Sequence, residues 1–213
     1  PVPPETLNQL EQIMPSPWES SKKINFITMA GNKLNSRLVQ LVAIEKGYPY
    51  YGKLVLGNKK DANAKMVEEE LISAGKIWVY RELLITLGLE IGDRLKLGEL
   101  DFTIGDIVLE DPSSSFSTFG VAPRVYIGLP QVRKTGLLTQ KSRINYDNLY
   151  KLSDYQEIQK LEDELENKIK IIGSGNERIR VRTHKDASEN LGRVLGYLND
   201  YLGLIALIAL FLA

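Results

Sequence analysis

The chain has no cysteine and a single histidine, His184, in 213 residues. Without thiols there is no disulfide framework, no Cys-ligated zinc or iron–sulfur site and no thiol nucleophile, and one imidazole leaves no pair for a metal or a proton relay. Compartment stays open on this ground, because a thiol-free protein suits either redox environment. An excess of one charge is also missing. Lys+Arg number 27 and Asp+Glu 27, so the formal net charge is zero and the basic footprint of a nucleic-acid binder is lacking. Neither Gly-x-x-x-x-Gly-Lys-Ser/Thr nor Gly-x-Gly-x-x-Gly occurs, so any ATP involved binds elsewhere. What the chain does have is an apolar fraction of 43%, which excludes disorder and supplies a core for one large domain or two small ones.

The remaining catalytic patterns are incomplete. Ser20 to Lys23 and Ser73 to Lys76 match Ser-x-x-Lys, and Lys134-Thr135-Gly136 matches a second element of penicillin-binding proteins, but no Ser-x-Asn lies between them. Ser20 to Lys23 also leads into a strand, where that chemistry needs a helix start. Ser174 in Gly-Ser-Gly lacks the glycine spacing of a nucleophile elbow, and His184 has no placed carboxylate partner. The acids of the Asp154–Ile169 segment are scattered over a solvated face without the loop spacing a hard cation needs. The chain therefore reads as non-enzymatic, with no cofactor and no metal.

Along the sequence, Leu7, Leu10 and Ile13 recur at helical spacing within Pro3–Met14. Lys23–Met29 and Arg37–Glu45 read as strands, the second running through an aromatic turn, Gly47-Tyr-Pro-Tyr-Tyr-Gly52, into a returning strand at Lys53–Gly57. Asn58–Glu70 reads as a polar loop with a helical end. Ile77–Val79 is predicted as a strand and Arg81–Leu87 as a helical turn. A hairpin turning at Gly98-Glu99 follows, because Leu95 and Leu97 alternate with Arg94 and Lys96 before Phe102 and Ile104 alternate back. Glu110–Gly120 is a loop whose Phe116 and Phe119 either fold onto the local core or offer a contact to a partner or to lipid. Arg124–Leu129 is a strand. Beyond Gly136 the texture turns helical, and Tyr155, Ile158, Leu161, Leu165 and Ile169 make one apolar stripe. A strand with Arg178, Arg180 and Arg182 on one side and Ile179 and Val181 on the other is predicted next. Those arginines could dock an acidic partner or lipid headgroups. A strand near Arg143–Leu149, the helix and the arginine strand would make a βαβ unit if the strands are parallel.

From Asp186 one helix is predicted to run to Ala213, about 40 Å at ~1.5 Å per residue. Its last 13 residues, from Tyr201, Leu202, Leu204 and Ile205 onward, carry no charge. A run this short is by default a buried core helix, since a full crossing needs about 20 residues. The lack of any polar stripe favours instead the start of a membrane helix. The expected organisation is α+β: an α/β subdomain from both chain ends (residues 1–34 and 141–190), an inserted β-rich subdomain (35–140), and a stalk with the start of a transmembrane helix (191–213).

Phe26-Ile-Thr-Met-Ala30, Ser36–Leu56, Leu87-Gly-Leu-Glu-Ile-Gly-Asp93, Ala122-Pro-Arg-Val125, Thr135-Gly-Leu-Leu138 and Ser142-Arg143, in this order, resemble the first large extracytoplasmic domain of FtsX-like, MacB-type ABC transporter permeases. Within that family they look most like the branch associated with a periplasmic lysophospholipase/thioesterase. The resemblance implies a periplasmic domain of porter-like α/β and sabre-like β-rich subdomains, standing between two helices of a permease in the bacterial inner membrane. It further implies a cytoplasmic ABC ATPase subunit as partner and mechanotransmission as the role. Membrane-helix motion driven by ATP would be coupled to extraction of a hydrophobic, lipid-like cargo or to a periplasmic partner. The family carries a strand upstream of the position of Pro1, so an exposed sheet edge is expected. The alternative is a stand-alone periplasmic lipid- or protein-binding module, which requires the apolar tail to pack inside the domain.

Overall fold

Alternating apolar and polar residues dictate most of the strands, and the strands close on themselves. The computed structural model describes residues 2–50, 53–57, 61–111, 122–139, 143–153, 157–172, 179–183 and 198–204. It divides into two compact units, one of Ser16–Ser153 and one joining Val2–Pro15 to the chain from Asp154 onward.

The first unit holds β1 (Trp18–Gly31), β2 (Ser36–Ile44), β3 (Val55–Leu56), β4 (Ile77–Tyr80), β5 (Arg94–Leu97), β6 (Leu100–Glu110), β7 (Arg124–Gly128) and β8 (Asn145–Leu152). Their order is β2-β7-β4-β6-β5-β1, and β1 also pairs with β2, so six strands form a closed barrel. Closure leaves these six without a free edge. Two pairs, β2 with β7 and β4 with β6, are parallel, and the other barrel pairs are antiparallel. Alternate residues of all six strands meet inside: Ile24 and Phe26, Leu41 and Ala43, Ile77 and Val79, Leu95 and Leu97, Phe102 and Ile104, Val125 and Ile127. Two short helices join this core, α3 (Arg81–Leu87) through Leu83, Leu84 and Leu87 and α4 (Leu129–Val132) through its Leu129 and Val132.

The opposite register of β2, β4 and β7 puts Val42, Ile44, Trp78 and Tyr126 into a second cluster. It is covered by Tyr48, Leu54, Leu56 and a helical segment, α2 (Ala64–Met66), continued by π-helical turns over Val67–Ser73. Asn63 caps α2, accepting from the Met66 N–H at 3.1 Å. That arrangement explains why β2, β4 and β7 read as nearly continuous apolar runs, since both of their faces are buried.

Several expectations are corrected here. Residues 18–31, expected with the chain ends, form β1, which pairs with β2 in the barrel from Lys23↔Ile44 to Gly31↔Ser36 and with β8 from Trp18 to Asn25. The returning strand at Lys53–Gly57 shrinks to β3 and pairs with β6, because both edges of β2 are already taken by β1 and β7. No βαβ unit forms among the described residues: β8 runs antiparallel to β1, from Trp18↔Leu152 to Asn25↔Asn145, and residues 179–183 are in no strand. Ile179 and Val181 remain half-buried while Arg180 and Arg182 are exposed, so the alternation reflects one-sided burial rather than strand pairing.

In the second unit, α1 (Pro4–Glu11) starts on a proline at its first turn, where a missing N–H costs nothing. It packs against α5 (Ile158–Ile172), the long helix predicted from the 155–169 stripe, whose Leu161 is buried. Residues 198–204 are helical. No helix among the described residues is long and apolar enough to cross a membrane.

Candidate functional site

The sequence-predicted residues scatter. Phe116, Phe119, Arg178 and Ile205 lie outside the described residues, as do Ser174 and His184. Arg180 and Arg182 are exposed, and Tyr201, Leu202 and Leu204 stand exposed on the 198–204 helix. Ser20 and Lys23 are three apart on β1, so their side chains leave opposite faces, and Lys23 is paired with Asp147 at 3.4 Å. Thr135 of the Lys-Thr-Gly match is buried, donating its hydroxyl to the Val132 carbonyl at 2.7 Å. No group of three potential ligands that could hold a metal occurs among the described residues.

What the tertiary structure does assemble is a polar clamp at the two ends of the segment that carries the phenylalanines. Asp111 follows β6, and Arg124 and Tyr126 stand on β7. The Tyr126 hydroxyl donates to Asp111 Oδ2 at 2.6 Å, Arg124 Nη1 donates to the same oxygen at 3.3 Å, and Arg124 Nε donates to Gln40 Oε1 at 3.1 Å. Tyr80 stacks on Tyr126 with ring centroids 6.2 Å apart. The ion pair is almost dry, with side-chain exposures of 12% for Arg124 and 2% for Asp111. Burial, and then the Asp111 carboxylate, hold the Tyr126 hydroxyl well above its usual pKa. For Arg124, burial is the largest influence and pulls downward, but Tyr126, Tyr80 and Asp111 together outweigh it and leave the guanidinium pKa raised. A carboxylate that already accepts from a phenol and a guanidinium holds structure in place, and the clamp ties the end of β6 to the start of β7.

Two open depressions flank the barrel. One, about 500 Å³, is lined by Glu19, Ser20, Lys46, Tyr50, Lys65 and Glu68. Tyr50 there has its pKa raised by partial burial and by Glu19 and Glu45. The other, about 610 Å³, runs along α3 past Leu84, Ile85, Leu89, Ile91 and Ile107. Outside both, the distal half of the β1–β2 hairpin shows an apolar face of Ile27, Met29, Leu34 and Leu38.

Neither clamp nor hairpin face was found from the sequence. Asp111 and Arg124 are 13 residues apart and Gln40 and Arg124 are 84 apart, which no local motif connects. One signal was present: an arginine and a tyrosine alternating with valine and isoleucine in a strand buried on both faces.

No protein-family profile matches the chain. Over 137 residues, 64% of its length, it is 28% identical to YbbP of Escherichia coli K12, an ABC transporter permease described as uncharacterized, and the match spans only 16% of that protein. Among solved structures, the extracellular domain of the noncanonic ABC-type transporter YknZ from Gram-positive bacteria superimposes with a TM-score of 0.53 at 14% identity, covering 84% of this chain and 88% of that one. The periplasmic region of MacB from Actinobacillus actinomycetemcomitans gives a TM-score of 0.48 at 14% identity, covering 76% and 72%. The chain thus has the fold of a transporter's extracellular domain and sequence similarity to an ABC transporter permease.

Proposed function

We propose that this chain is a non-catalytic periplasmic domain of an ABC transporter permease in the bacterial inner membrane, working with a cytoplasmic ATPase subunit. The observation that carries the reading is the 28% identity to an ABC transporter permease over 137 residues, on a fold shared with a transporter's extracellular domain. A division into a porter-like and a sabre-like part, and a stalk and membrane-helix start over 191–213, belong to the same proposal. Within it, ATP-driven movement of membrane helices shifts this domain, which extracts a hydrophobic, lipid-like cargo or acts on a periplasmic lysophospholipase/thioesterase. The closed barrel supports a lever role, because a structure with both faces of several strands packed moves as one body. Phe116, Phe119, Arg178, Arg180 and Arg182 are the proposed partner or lipid contacts.

Membrane fractionation of the tagged full-length protein, with protease added to one side of the membrane at a time, tests this. The expected result is an integral protein whose 35–140 region is cut only from the periplasmic side. A soluble full-length protein would sink the permease reading and leave a stand-alone binding module. Esterase or ATPase turnover by the purified chain would overturn the non-catalytic assignment.

A further inference from the structure

The hairpin of β1 and β2 differs in charge from the rest of the chain. Ser20 through Ile44 contain Lys22, Lys23, Lys33 and Arg37 and no aspartate or glutamate, in a protein whose charges cancel over the whole chain. Lys33 and Arg37 sit at the tip, exposed and without an ion-pair partner among the described residues. Between them stands Leu34, 87% exposed. Behind it, Met29 and Leu38 are cross-strand partners, 49% and 47% exposed, and Ile27, on the same face as Met29, is 54% exposed. This face is turned away from the barrel interior, which holds Phe26 and Val39.

The exposure of Leu34 is built in. Asn32 Oδ1 accepts from the N–H groups of Leu34 at 2.9 Å and Asn35 at 2.8 Å, and the Asn32 N–H donates to the Asn35 carbonyl at 2.9 Å. The Asn32 side-chain amide meanwhile donates to the Leu87 carbonyl at 2.9 Å, tying the turn to the end of α3. A Cβ on Gly31 would stand 2.5 Å from the Asn35 carbonyl oxygen, so the turn is closed tightly as well. A pinned turn that holds a leucine in water between two cations avoids the ordering cost of binding.

We propose that the β1–β2 tip docks on an anionic lipid surface, Leu34 entering the headgroup region between Lys33 and Arg37 while Met29, Leu38 and Ile27 follow along one face. Complementary charge selects the partner class: unpaired cations beside apolar side chains match acidic headgroups over acyl chains. Shape favours lipid over an acidic peptide, since the tip is a single projecting side chain, which a deformable surface accommodates and a peptide strand does not. The inference goes beyond the transporter reading, which assigns no contact to this hairpin.

The absence of cysteine allows a single label. Leu34→Cys carrying an environment-sensitive NBD group reports on the tip, and Lys65→Cys, exposed on α2, serves as reference. Vesicles of phosphatidylglycerol with phosphatidylcholine are compared with phosphatidylcholine alone; because the apolar residues 201–213 can bring the chain to either, the readout is the probe's surroundings and not sedimentation. The expected result is a blue shift and several-fold brightening at position 34 on anionic vesicles only, reversed by high salt, with position 65 unchanged. Lys33→Glu with Arg37→Glu should raise the lipid concentration needed at least about 25-fold, at roughly fivefold per cation. A probe that stays aqueous on anionic vesicles, or responds equally to neutral ones, overturns the proposal. A response to an acidic amphipathic peptide without one to vesicles also overturns it and assigns the hairpin to a protein partner. The changed residues are exposed, so folding of the variants is not at issue.

Discussion

Replacing Asp111 by alanine removes the acceptor shared by the Tyr126 hydroxyl at 2.6 Å and Arg124 Nη1 at 3.3 Å. With exposures of 2% and 12% on the two ionic side chains, little solvent screens the pair or can replace what is lost. Gln40 still accepts from Arg124 Nε, but the rest of the guanidinium and the phenol are left buried without Asp111. Breaking one side of a buried pair costs about 3–5 kcal/mol, and the orphaned phenol is part of that figure rather than an addition to it. Urea unfolding followed by tryptophan emission suits the test. Trp18 and Trp78 are the only tryptophans, and both lie in the Ser16–Ser153 unit, so the signal reports on the barrel without the other unit. Asp111→Asn keeps an acceptor and should lose less than Asp111→Ala. Asp111→Leu with Arg124→Met removes both charges and should also cost less than Asp111→Ala alone, since no buried charge is then stranded. A loss under about 1 kcal/mol for Asp111→Ala, or a double variant weaker than the sum of its single changes, would refute the claim that the clamp is a coupled buried network.

Tyr126→Phe tests the same network by pH. A phenol held un-ionised in the fold, with its pKa raised above the ordinary value of 10, contributes stability that is intact below pH 10 and is lost as pH rises toward the folded pKa. The native chain should therefore lose stability above pH 10 more steeply than Tyr126→Phe, by up to about 1.4 kcal/mol per pH unit, in urea titrations at each pH. Glu70 Oε2 accepts from the buried indole N–H of Trp78 at 3.1 Å, so Glu70→Ala should cost about 1–3 kcal/mol and shift the tryptophan emission; an unchanged spectrum would speak against that bond. At Gly128, an added Cβ would lie 2.5 Å from the Leu71 carbonyl oxygen, so Gly128→Ala should force β7 and the π-helical turns apart, costing about 1–3 kcal/mol in thermal unfolding. Gly98 turns the β5–β6 hairpin at φ 59° with its neighbour Glu99 donating to the Thr135 carbonyl at 3.0 Å, and Gly98→Ala should lower the melting temperature by several degrees.

Local elements were legible where periodicity was clean. Arg94–Leu97 and Leu100–Glu110 emerged at the expected turn because alternation and a glycine agreed, and α5 emerged from a stripe at spacings of three and four. The arginine segment shows where periodicity stops deciding structure. Its alternation is as regular as that of β5, yet residues 179–183 form no strand, because pairing is a property of two segments and periodicity of one. Val55–Leu56 fails for a related reason: the strand it was expected to join had no edge left.

By itself, the sequence determined that there is no thiol and only one imidazole, the strand and helix character of most segments, and the resemblance to a permease domain; each depends on composition or on neighbours within a few residues. Only the tertiary structure decided that six strands close into a barrel, that Asp111, Arg124, Tyr126 and Gln40 meet, and that Leu34 stands in water between two cations. Those outcomes depend on which strand edges remain free and which faces become covered once the chain has folded, and these are relations between residues up to 84 positions apart that no local pattern encodes.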